Sequence, residues 1–289
     1  MSGFKSLRTV LEMIKFEHTL FALPFAFLGM MLAAQGWPEW HVVGWIVVAM
    51  VGARSAAMGF NRLVDRGIDA ANPRTADRAL PAGQVSPVFV GLFVLASCLL
   101  LVFAASRLNP LAFRLTPVAL LVLLGYSYSK RFTPWSHLIL GLALAGAPVG
   151  AWIAVRGDVT ATPLVLAGAV LLWVAGFDVL YALQDREYDL GAGLHSVPVR
   201  FGEVAALWIS GLLHLGMLLL LALLPRVFPP GLGVGYWVGF AGCLVLLIYQ
   251  HGIVRPGDLS RLDAAFFRAN GLLASWLFLS TALDFWLRG

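Results

Sequence analysis

Long apolar runs alternate with short polar segments along the whole chain. Each run is about 17–22 residues long, enough for a helix to cross a hydrocarbon core about 30 Å thick. The predicted spans are residues 18–35, 41–60, 86–105, 110–127, 136–155, 163–182, 203–223, 232–251 and 265–286. The pattern therefore predicts an all-α integral membrane protein with about nine transmembrane helices.

Composition agrees with this prediction and indicates one membrane domain over residues 1–289. The chain is 60% hydrophobic and only 12% charged, whereas soluble domains are about 25% charged. The first apolar run is followed by many more, which argues against a cleaved signal peptide. Cys98 and Cys243 are interpreted as small buried hydrophobes, and the histidines lack zinc-ligand spacing.

The basic residues predict the orientation. Fifteen of the 20 Lys and Arg residues fall on the side of the N-terminus, and only Arg107, Arg114, Arg156, Arg226 and Arg288 fall on the other. Because Lys-rich and Arg-rich loops stay in the cytoplasm, the N-terminus and the acidic clusters are predicted to be cytosolic, in the cytoplasmic (inner) membrane. The net charge of +5 thus reflects topology, and nucleic-acid binding is not predicted.

A first polar cluster, NRLVDRGID, begins where the second span ends. It places Asn61, Asp65 and Asp69 four residues apart, so their side chains share one helix face. Four arginines lie in or after this stretch, namely Arg62, Arg66, Arg74 and Arg78. Carboxylates that hold a divalent cation and guanidiniums that contact phosphate oxygens suit the same ligand. The cluster therefore predicts a phosphate site.

A second cluster, DVLYALQDREYD, starts inside the sixth span and continues into the next loop. Asp178, Tyr181, Asp185 and Asp189 recur every three or four residues, so we expect them on one broad helical face. Asp178 lies deeper in the apolar span, where a carboxylate needs a metal, a hydroxyl or a cation. Glu187 lies off this face and is expected to be solvated.

Both clusters follow even-numbered spans, so they are predicted to emerge on the same side of the membrane. Two oxygen-rich faces pointing at each other would hold hard divalent cations, most plausibly Mg²⁺ bound to a diphosphate. In a membrane protein this arrangement indicates chemistry on a lipid diphosphate.

These motifs resemble those of the UbiA superfamily of intramembrane aromatic prenyltransferases. The family pattern NxxxDxxxD matches residues 61–69 and is followed by NPRT and LPAG, and DxxYAxxDxxxD matches residues 178–189. A third element, YxxxK, matches Tyr126 and Lys130. The resemblance covers nearly the whole chain and implies a helix bundle around a central cavity, capped by cytosolic loops.

The resemblance also implies a reaction. Metal ligands are expected at Asn61, Asp65, Asp69, Asp185 and Asp189. Contacts to the substrates are expected from Arg62, Arg66, Arg74, Arg78, Lys130, Tyr126 and Tyr181. Cleavage of the C–O bond of a polyprenyl diphosphate would leave an allylic carbocation in a dry pocket, and a phenol ring would attack it ortho to the hydroxyl. Asp178 or an aspartate of the first motif would orient or deprotonate the acceptor.

The acceptor is expected to be an aromatic acid of quinone biosynthesis. The resemblance implies 4-hydroxybenzoate for ubiquinone, or 1,4-dihydroxy-6-naphthoate for menaquinone. Lys15 or His18 near the first span, and Arg200 in the loop 193–202, are candidate contacts. Haem, chlorophyll and ether-lipid synthesis are alternatives within the superfamily. Neither the isoprenoid length nor the oligomeric state is predicted.

Two other classes of protein fit the sequence less well. A transporter would carry charges near the bilayer midplane, often on broken helices, whereas the acidic residues here concentrate at predicted cytosolic ends. A lipid diphosphatase would need a water route to the cleaved bond, which the apolar composition argues against. The sequence therefore favours a transferase.

Overall fold

The computed structural model describes Thr9, Glu12, Met13 and residues 19–262 and 264–288. Within this range the chain is helical, with no β-strand beyond an isolated bridge between Arg255 and Asp258. The predicted all-α class is therefore confirmed.

The helices follow one another through short connections. In chain order they are α1 Thr19–Ala34, α2 Trp40–Val64, α3 Arg66–Ala71, α4 Pro87–Ser106, α5 Pro110–Arg114, α6 Thr116–Gly125, α7 Ser136–Arg156, α8 Ala161–Tyr181, α9 Arg186–Gly191, α10 Val197–Phe201, α11 Glu203–Val227, α12 Val234–Ile253 and α13 Asn270–Arg288. Two 3-10 helices, Tyr126–Arg131 and Ala182–Asp185, and a π-helix, Ala264–Ala269, complete the described elements.

Six helical segments are long and apolar enough to cross a membrane: α2, α4, α7, α8 with its continuation to Gly191, α11 and α12. They coincide with six of the nine predicted spans, which supports a multi-pass membrane protein. The first, fourth and ninth predicted spans are helical as well. Within the described residues, however, their helices do not meet the requirements of both length and apolar character. The count of nine therefore stays a prediction.

The fourth predicted span, 110–127, is not one continuous helix. It divides at Leu115 into α5 and α6, and Pro117 lies in the first turn of α6. Proline lacks an N–H and clashes with the carbonyl four residues earlier, so it is tolerated at a helix start and disrupts a helix interior. The helix also ends at Gly125, before the 3-10 helix that carries Tyr126.

The chain forms two compact units. The first contains the described residues up to Thr19 and Val43–Tyr128, and the second contains Leu20–Val42 and the described part of Ser129–Gly289.

In the first unit α2 and α4 pack closely. A Cβ at Gly52 would lie 2.8 Å from the backbone nitrogen of Leu101 and 2.9 Å from the carbonyl oxygen of Ser97, so only glycine fits. Small residues allow such approaches between membrane helices.

The second unit has an apolar core on α8. Trp173 is fully buried and its ring centroid lies 4.9 Å from that of Phe25 on α1. A Cβ at Gly141 on α7 would collide with the backbone carbonyl of Leu171 on α8. The close contact at Gly141 therefore fixes how α7 packs along α8, which matters for the second acidic motif.

Candidate active site

The first acidic motif keeps the one-turn spacing that the sequence predicts. The Asp65 N–H donates to the Asn61 carbonyl at 2.9 Å, and the Asp69 N–H donates to the Asp65 carbonyl at 2.7 Å. Asp65 itself lies between α2 and α3. Backbone hydrogen bonds of the helical type thus carry the three side chains on successive turns.

The carboxylates of this motif are buried and have polar partners. Asp65 and Asp69 are 3% and 5% exposed. Asn61 Nδ2 donates to Asp65 Oδ2 at 3.1 Å, and Arg78 Nη1 donates to Asp69 Oδ1 at 2.7 Å. Arg62 Nη1 lies 3.7 Å from Asp69 Oδ2, an oxygen that accepts no hydrogen bond from any residue the structure describes. Asp69 therefore presents a buried oxygen to a further ligand.

The four predicted arginines divide into two pairs. Arg62 is buried and Arg78 is half-buried, and both hold Asp69. Arg66 and Arg74 are exposed. Arg62 and Arg78 therefore both form ion pairs with a carboxylate of the motif. Arg62 and Arg78 also line a cavity of about 240 Å³, together with Thr9, Glu12, Met13, Ala79 and Gln84.

The loop after α3 is folded onto the motif. The Thr75 hydroxyl donates to the Asp69 carbonyl at 2.9 Å, and the Arg74 N–H donates to Asn72 Oδ1 at 3.0 Å. Both Asn72 and Thr75, from the NPRT segment, are buried. These bonds set the path of the chain that brings Arg78 back to Asp69.

Arg54 is a candidate that the sequence analysis missed. It lies on α2, seven residues before Asn61, so it shares the helix face of the motif. Its Nε is buried and has no hydrogen-bond partner among the described residues. A buried donor without a partner is costly, so this position suits an anionic ligand. The signal was available, because an arginine inside an apolar span is unusual.

Tyr126 lies in the same unit as Arg54. Its hydroxyl is 3.8 Å from the Met58 sulfur on α2. The YxxxK element thus packs its tyrosine against the helix that leads into the first motif.

The second motif changes helix type along its length. Asp178 and Tyr181 end α8, Asp185 closes a 3-10 helix, and Asp189 lies on α9. A 3-10 helix has three residues per turn in place of 3.6, so the segment is helical throughout but changes its turn at residues 182–185. The shared face of the four side chains stays a prediction. Asp185 and Asp189 are half-buried. Glu187 is exposed, as predicted.

Asp178 has a partner that the sequence did not indicate. Its Oδ2 lies 2.7 Å from Nδ1 of His137, the second residue of α7. The Val197 N–H donates to the other ring nitrogen, Nε2, at 3.3 Å. No local signal could have found this contact, because 41 residues separate the two side chains.

The loop 193–202 is held to the second motif. The His195 N–H donates to the Lys130 carbonyl at 2.8 Å, and Arg186 Nε donates to the Pro198 carbonyl at 3.1 Å. Tyr181 stacks edge-on against Phe267 of the π-helix, with ring centroids 6.2 Å apart. Arg200 is exposed. Lys15 and His18, the candidate acceptor contacts, lie outside the described residues.

The donors of the first motif fit a hard cation. They are carboxylate and amide oxygens, the ligand type that Mg²⁺ prefers, and the buried Asp69 Oδ2 accepts no hydrogen bond from the described residues. In the described part of the chain no three His, Cys, Asp or Glu side chains gather closely enough to hold a metal ion by themselves.

Comparison with known proteins identifies relatives over most of the chain. The model of the UbiA prenyltransferase family matches residues 22–276. The 4-hydroxybenzoate octaprenyltransferase of Nitrosospira multiformis is 32% identical over 263 residues, which cover 90% of this chain and 88% of that protein. The 4-hydroxybenzoate solanesyltransferase of Synechocystis is 34% identical over 265 residues, covering 85% and 87%.

Solved structures of UbiA homologues have the same fold as this chain. A UbiA homologue from Aeropyrum pernix K1, solved in its apo form, is 31% identical and superposes with a TM-score of 0.84 over 93% of this chain and 98% of that chain. A UbiA homologue from Archaeoglobus fulgidus, solved with DMAPP and Mg²⁺, has a TM-score of 0.72 over 95% and 99%; at 20% identity this likeness bears on the fold alone.

Proposed function

The chain belongs to the UbiA prenyltransferase family and is an aromatic prenyltransferase, and from this premise we propose that it transfers a polyprenyl group from polyprenyl diphosphate to 4-hydroxybenzoate. The acceptor is the one that gives two relatives, 32% and 34% identical to this chain, their names. The same family membership supports our proposal that the protein lies in the cytoplasmic membrane with both aspartate motifs on the cytosolic side.

One observation carries the proposal. Asp65 and Asp69 are buried at the end of an apolar helix, and Arg62 and Arg78 lie beside Asp69. Buried carboxylates and guanidiniums in one cluster suit a ligand that carries both phosphate oxygens and a bound cation.

The ligand roles that we propose for the aspartates follow from the match of each motif to the family pattern. Asp65 and Asp69, with Asn61 beside them, and Asp185 and Asp189 would hold Mg²⁺, which supplies Lewis-acid stabilisation of the leaving group. Arg62 and Arg78 contribute charge-assisted hydrogen bonds to the departing oxygens. Lys130 and Tyr126 are assigned to the same ligand by the family motif.

Arg54 is our candidate for the acceptor carboxylate. Its buried Nε has no partner among the described residues, and a guanidinium binds a carboxylate through two parallel hydrogen bonds. In this assignment the cationic side chain that binds the acceptor carboxylate lies on α2, and Lys15 is the alternative.

The proposed step balances without a protein nucleophile. The bond between prenyl C1 and the diphosphate oxygen breaks, and the electron pair leaves with the diphosphate. A new C–C bond forms between C1 and the ring carbon ortho to the phenol hydroxyl. The proton on that ring carbon then leaves to a carboxylate, which restores the aromatic ring. Apolar helices exclude the water that would otherwise capture the allylic cation.

The experiment that tests the proposal is a direct assay of the purified full-length protein. It would be incubated with MgCl₂, polyprenyl diphosphate and either 4-hydroxybenzoate or 1,4-dihydroxy-6-naphthoate, and the products would be followed by mass spectrometry. We expect prenylated 4-hydroxybenzoate, loss of product with EDTA, and its return with excess Mg²⁺.

The two assays, one with each aromatic acid, identify the acceptor. Prenylated naphthoate alone would move the acceptor to the menaquinone route and leave the prenyl-transfer chemistry standing. Polyprenyl alcohol as the sole product, with neither acid prenylated, would contradict the proposal and favour a diphosphatase.

A further inference from the structure

We propose that His137 is a positioning residue that fixes the Asp178 carboxylate to accept the proton released when the acceptor ring is alkylated. This inference rests on the proposed function, since it assigns a role inside the transfer reaction. His137, Asp178 and Val197 all lie in the second unit.

The packing of α7 on α8 sets the two residues opposite each other. The helices are joined by residues 157–160, and Gly157 has φ of +69°, the left-handed conformation that ends α7. Gly141 lies one turn after His137, and Leu171 lies about two turns before Asp178. The backbone contact between Gly141 and Leu171 therefore brings the start of α7 to the end of α8.

The hydrogen bond from Val197 determines which ring nitrogen carries the proton. A nitrogen that accepts a backbone N–H bond has its lone pair in that bond, so Nε2 of His137 is unprotonated. The ring proton must then lie on Nδ1, which donates to Asp178 Oδ2 at 2.7 Å. The imidazole is thereby fixed as a neutral donor.

A neutral donor orients a carboxylate without cancelling its charge. Asp69 differs, because it is bound by two guanidiniums. The Asp178 side chain is 25% exposed, so its carboxylate can still meet a ligand. His137 has a 5% exposed side chain with both nitrogens engaged, so it acts through Asp178 and does not exchange protons with the substrate.

The loop 193–202 is part of the same arrangement. Val197 begins α10, and the Ser196 hydroxyl accepts the Val199 N–H at 3.3 Å as the cap of that helix. The N–H of Val197 remains available to His137 because the first amides of a helix have no intrahelical partner. The first turn of α10 thus supplies the N–H that His137 Nε2 accepts.

The proposed proton transfer is balanced. The ring carbon that has bonded to the prenyl group gives its proton to the carboxylate of Asp178. The electron pair of that C–H bond returns to the ring, and no oxidant or reductant is needed.

Two substitutions of similar shape separate positioning from packing. In His137→Asn, the Nδ2 amide stands at the same distance from the backbone as His Nδ1 and can donate to Asp178. In His137→Leu, the donor is removed and the volume is nearly kept. We expect the Asn variant to stay within about threefold of wild-type kcat, and the Leu variant to lose about 10- to 100-fold in kcat, with KM for polyprenyl diphosphate unchanged.

An isotope effect identifies the step. With 4-hydroxybenzoate deuterated at positions 3 and 5, wild type should show an effect near unity, because loss of the ring proton follows the slow ionisation. In His137→Leu a primary isotope effect should appear, since proton removal becomes slow. His195→Leu, a change at an exposed histidine in the loop 193–202, serves as the matched control and should match wild type.

A measurement without turnover tests the geometry. In ¹⁵N-histidine-labelled protein, NMR should report His137 as the Nδ1–H tautomer at the assay pH. An Nε2–H tautomer or an imidazolium would overturn the inference even if the acceptor assignment failed. If wild type prenylates neither acid, the proposed function fails, and the tautomer still decides the positioning geometry.

Two kinetic outcomes would also overturn it. One is that His137→Leu matches wild type. The other is that both variants lose activity equally, with a raised KM for the diphosphate and no isotope effect, because that pattern marks a packing role.

Discussion

The two acidic motifs hold their carboxylates in opposite ways. In the first, Asp69 is buried and bound by Arg78 at 2.7 Å and Arg62 at 3.7 Å. In the second, Asp178 is bound at 2.7 Å by an imidazole whose other nitrogen accepts a backbone N–H. One carboxylate is surrounded by positive charge and the other by a neutral donor.

The different partners of Asp69 and Asp178 give the two carboxylates different chemical properties. Cations beside a carboxylate stabilise its charged form and make it a poor base, and they also attract a polyanion. A neutral donor stabilises the same charge less. We infer that the first motif binds a polyanion, whereas Asp178, at the start of the second motif, accepts a proton. Four changes break or sharpen this contrast.

Removing a carboxylate of the first motif should have the largest effect. Asp65→Asn keeps the shape and an acceptor for Asn61, but it removes a charge that the proposed Mg²⁺ site needs. We expect kcat/KM to fall by more than about 100-fold, the range seen when a key electrostatic contact is lost, while thermal unfolding changes little. Asp77→Asn, at an exposed position in the same loop, is the control, and an equal loss there would contradict a specific role.

Neutralising an arginine of the first motif should have the next largest effect. Arg78→Gln removes a charge-assisted donor, worth about 1.5–3 kcal/mol, so KM for polyprenyl diphosphate should rise about 10- to 100-fold. KM for the acceptor should be unchanged. The exposed Arg74 provides the comparison: Arg74→Gln should change KM by less than about threefold. Equal effects would mean that the two pairs of arginines are not distinct.

Arg54 should affect the other substrate. Arg54→Met removes the cation proposed for the acceptor carboxylate, and we expect KM for 4-hydroxybenzoate to rise about tenfold. KM for the diphosphate should stay within about twofold of wild type. Steady-state kinetics with each substrate varied in turn separates these results, and a shift confined to the diphosphate would refute the assignment.

The smallest effect is expected from the packing that supports Asp178. Gly141→Ala would place a methyl group against the Leu171 carbonyl and should destabilise the protein by about 1–3 kcal/mol. Gly146→Ala lies on the same helix with open space around it, so its melting temperature should match or exceed that of wild type. A normal melting temperature for Gly141→Ala would show that α7 and α8 can separate freely there.

The sequence predicted those parts of the fold that depend on local patterns. The fifth predicted span, 136–155, matches α7 within one residue because continuous apolar stretches mark spans directly. The first motif kept its spacing because one helical register covers Asn61 to Asp69. The division at Leu115 was missed because the apolar run continues across it, although Pro117 was a visible warning.

Contacts between distant residues were beyond the sequence. His137 has no local feature that points to Asp178, and only the packing of α7 on α8 brings them together. The pairing of Arg78 with Asp69 was likewise hidden, since it depends on the path of the loop that Asn72 and Thr75 fix. The metal and substrate roles of the motifs stay predictions.

The hairpin of α7 and α8 also bears on how the chain enters the membrane. A lone aspartate in a newly made span is expensive to transfer into lipid, by up to about 2.5–3.5 kcal/mol at the centre of the span. Here the partner of Asp178 lies on the preceding helix, and only the turn 157–160 is needed to bring the pair together. The two spans can therefore leave the insertion machinery as one unit, with the aspartate already hydrogen-bonded before later helices are synthesised.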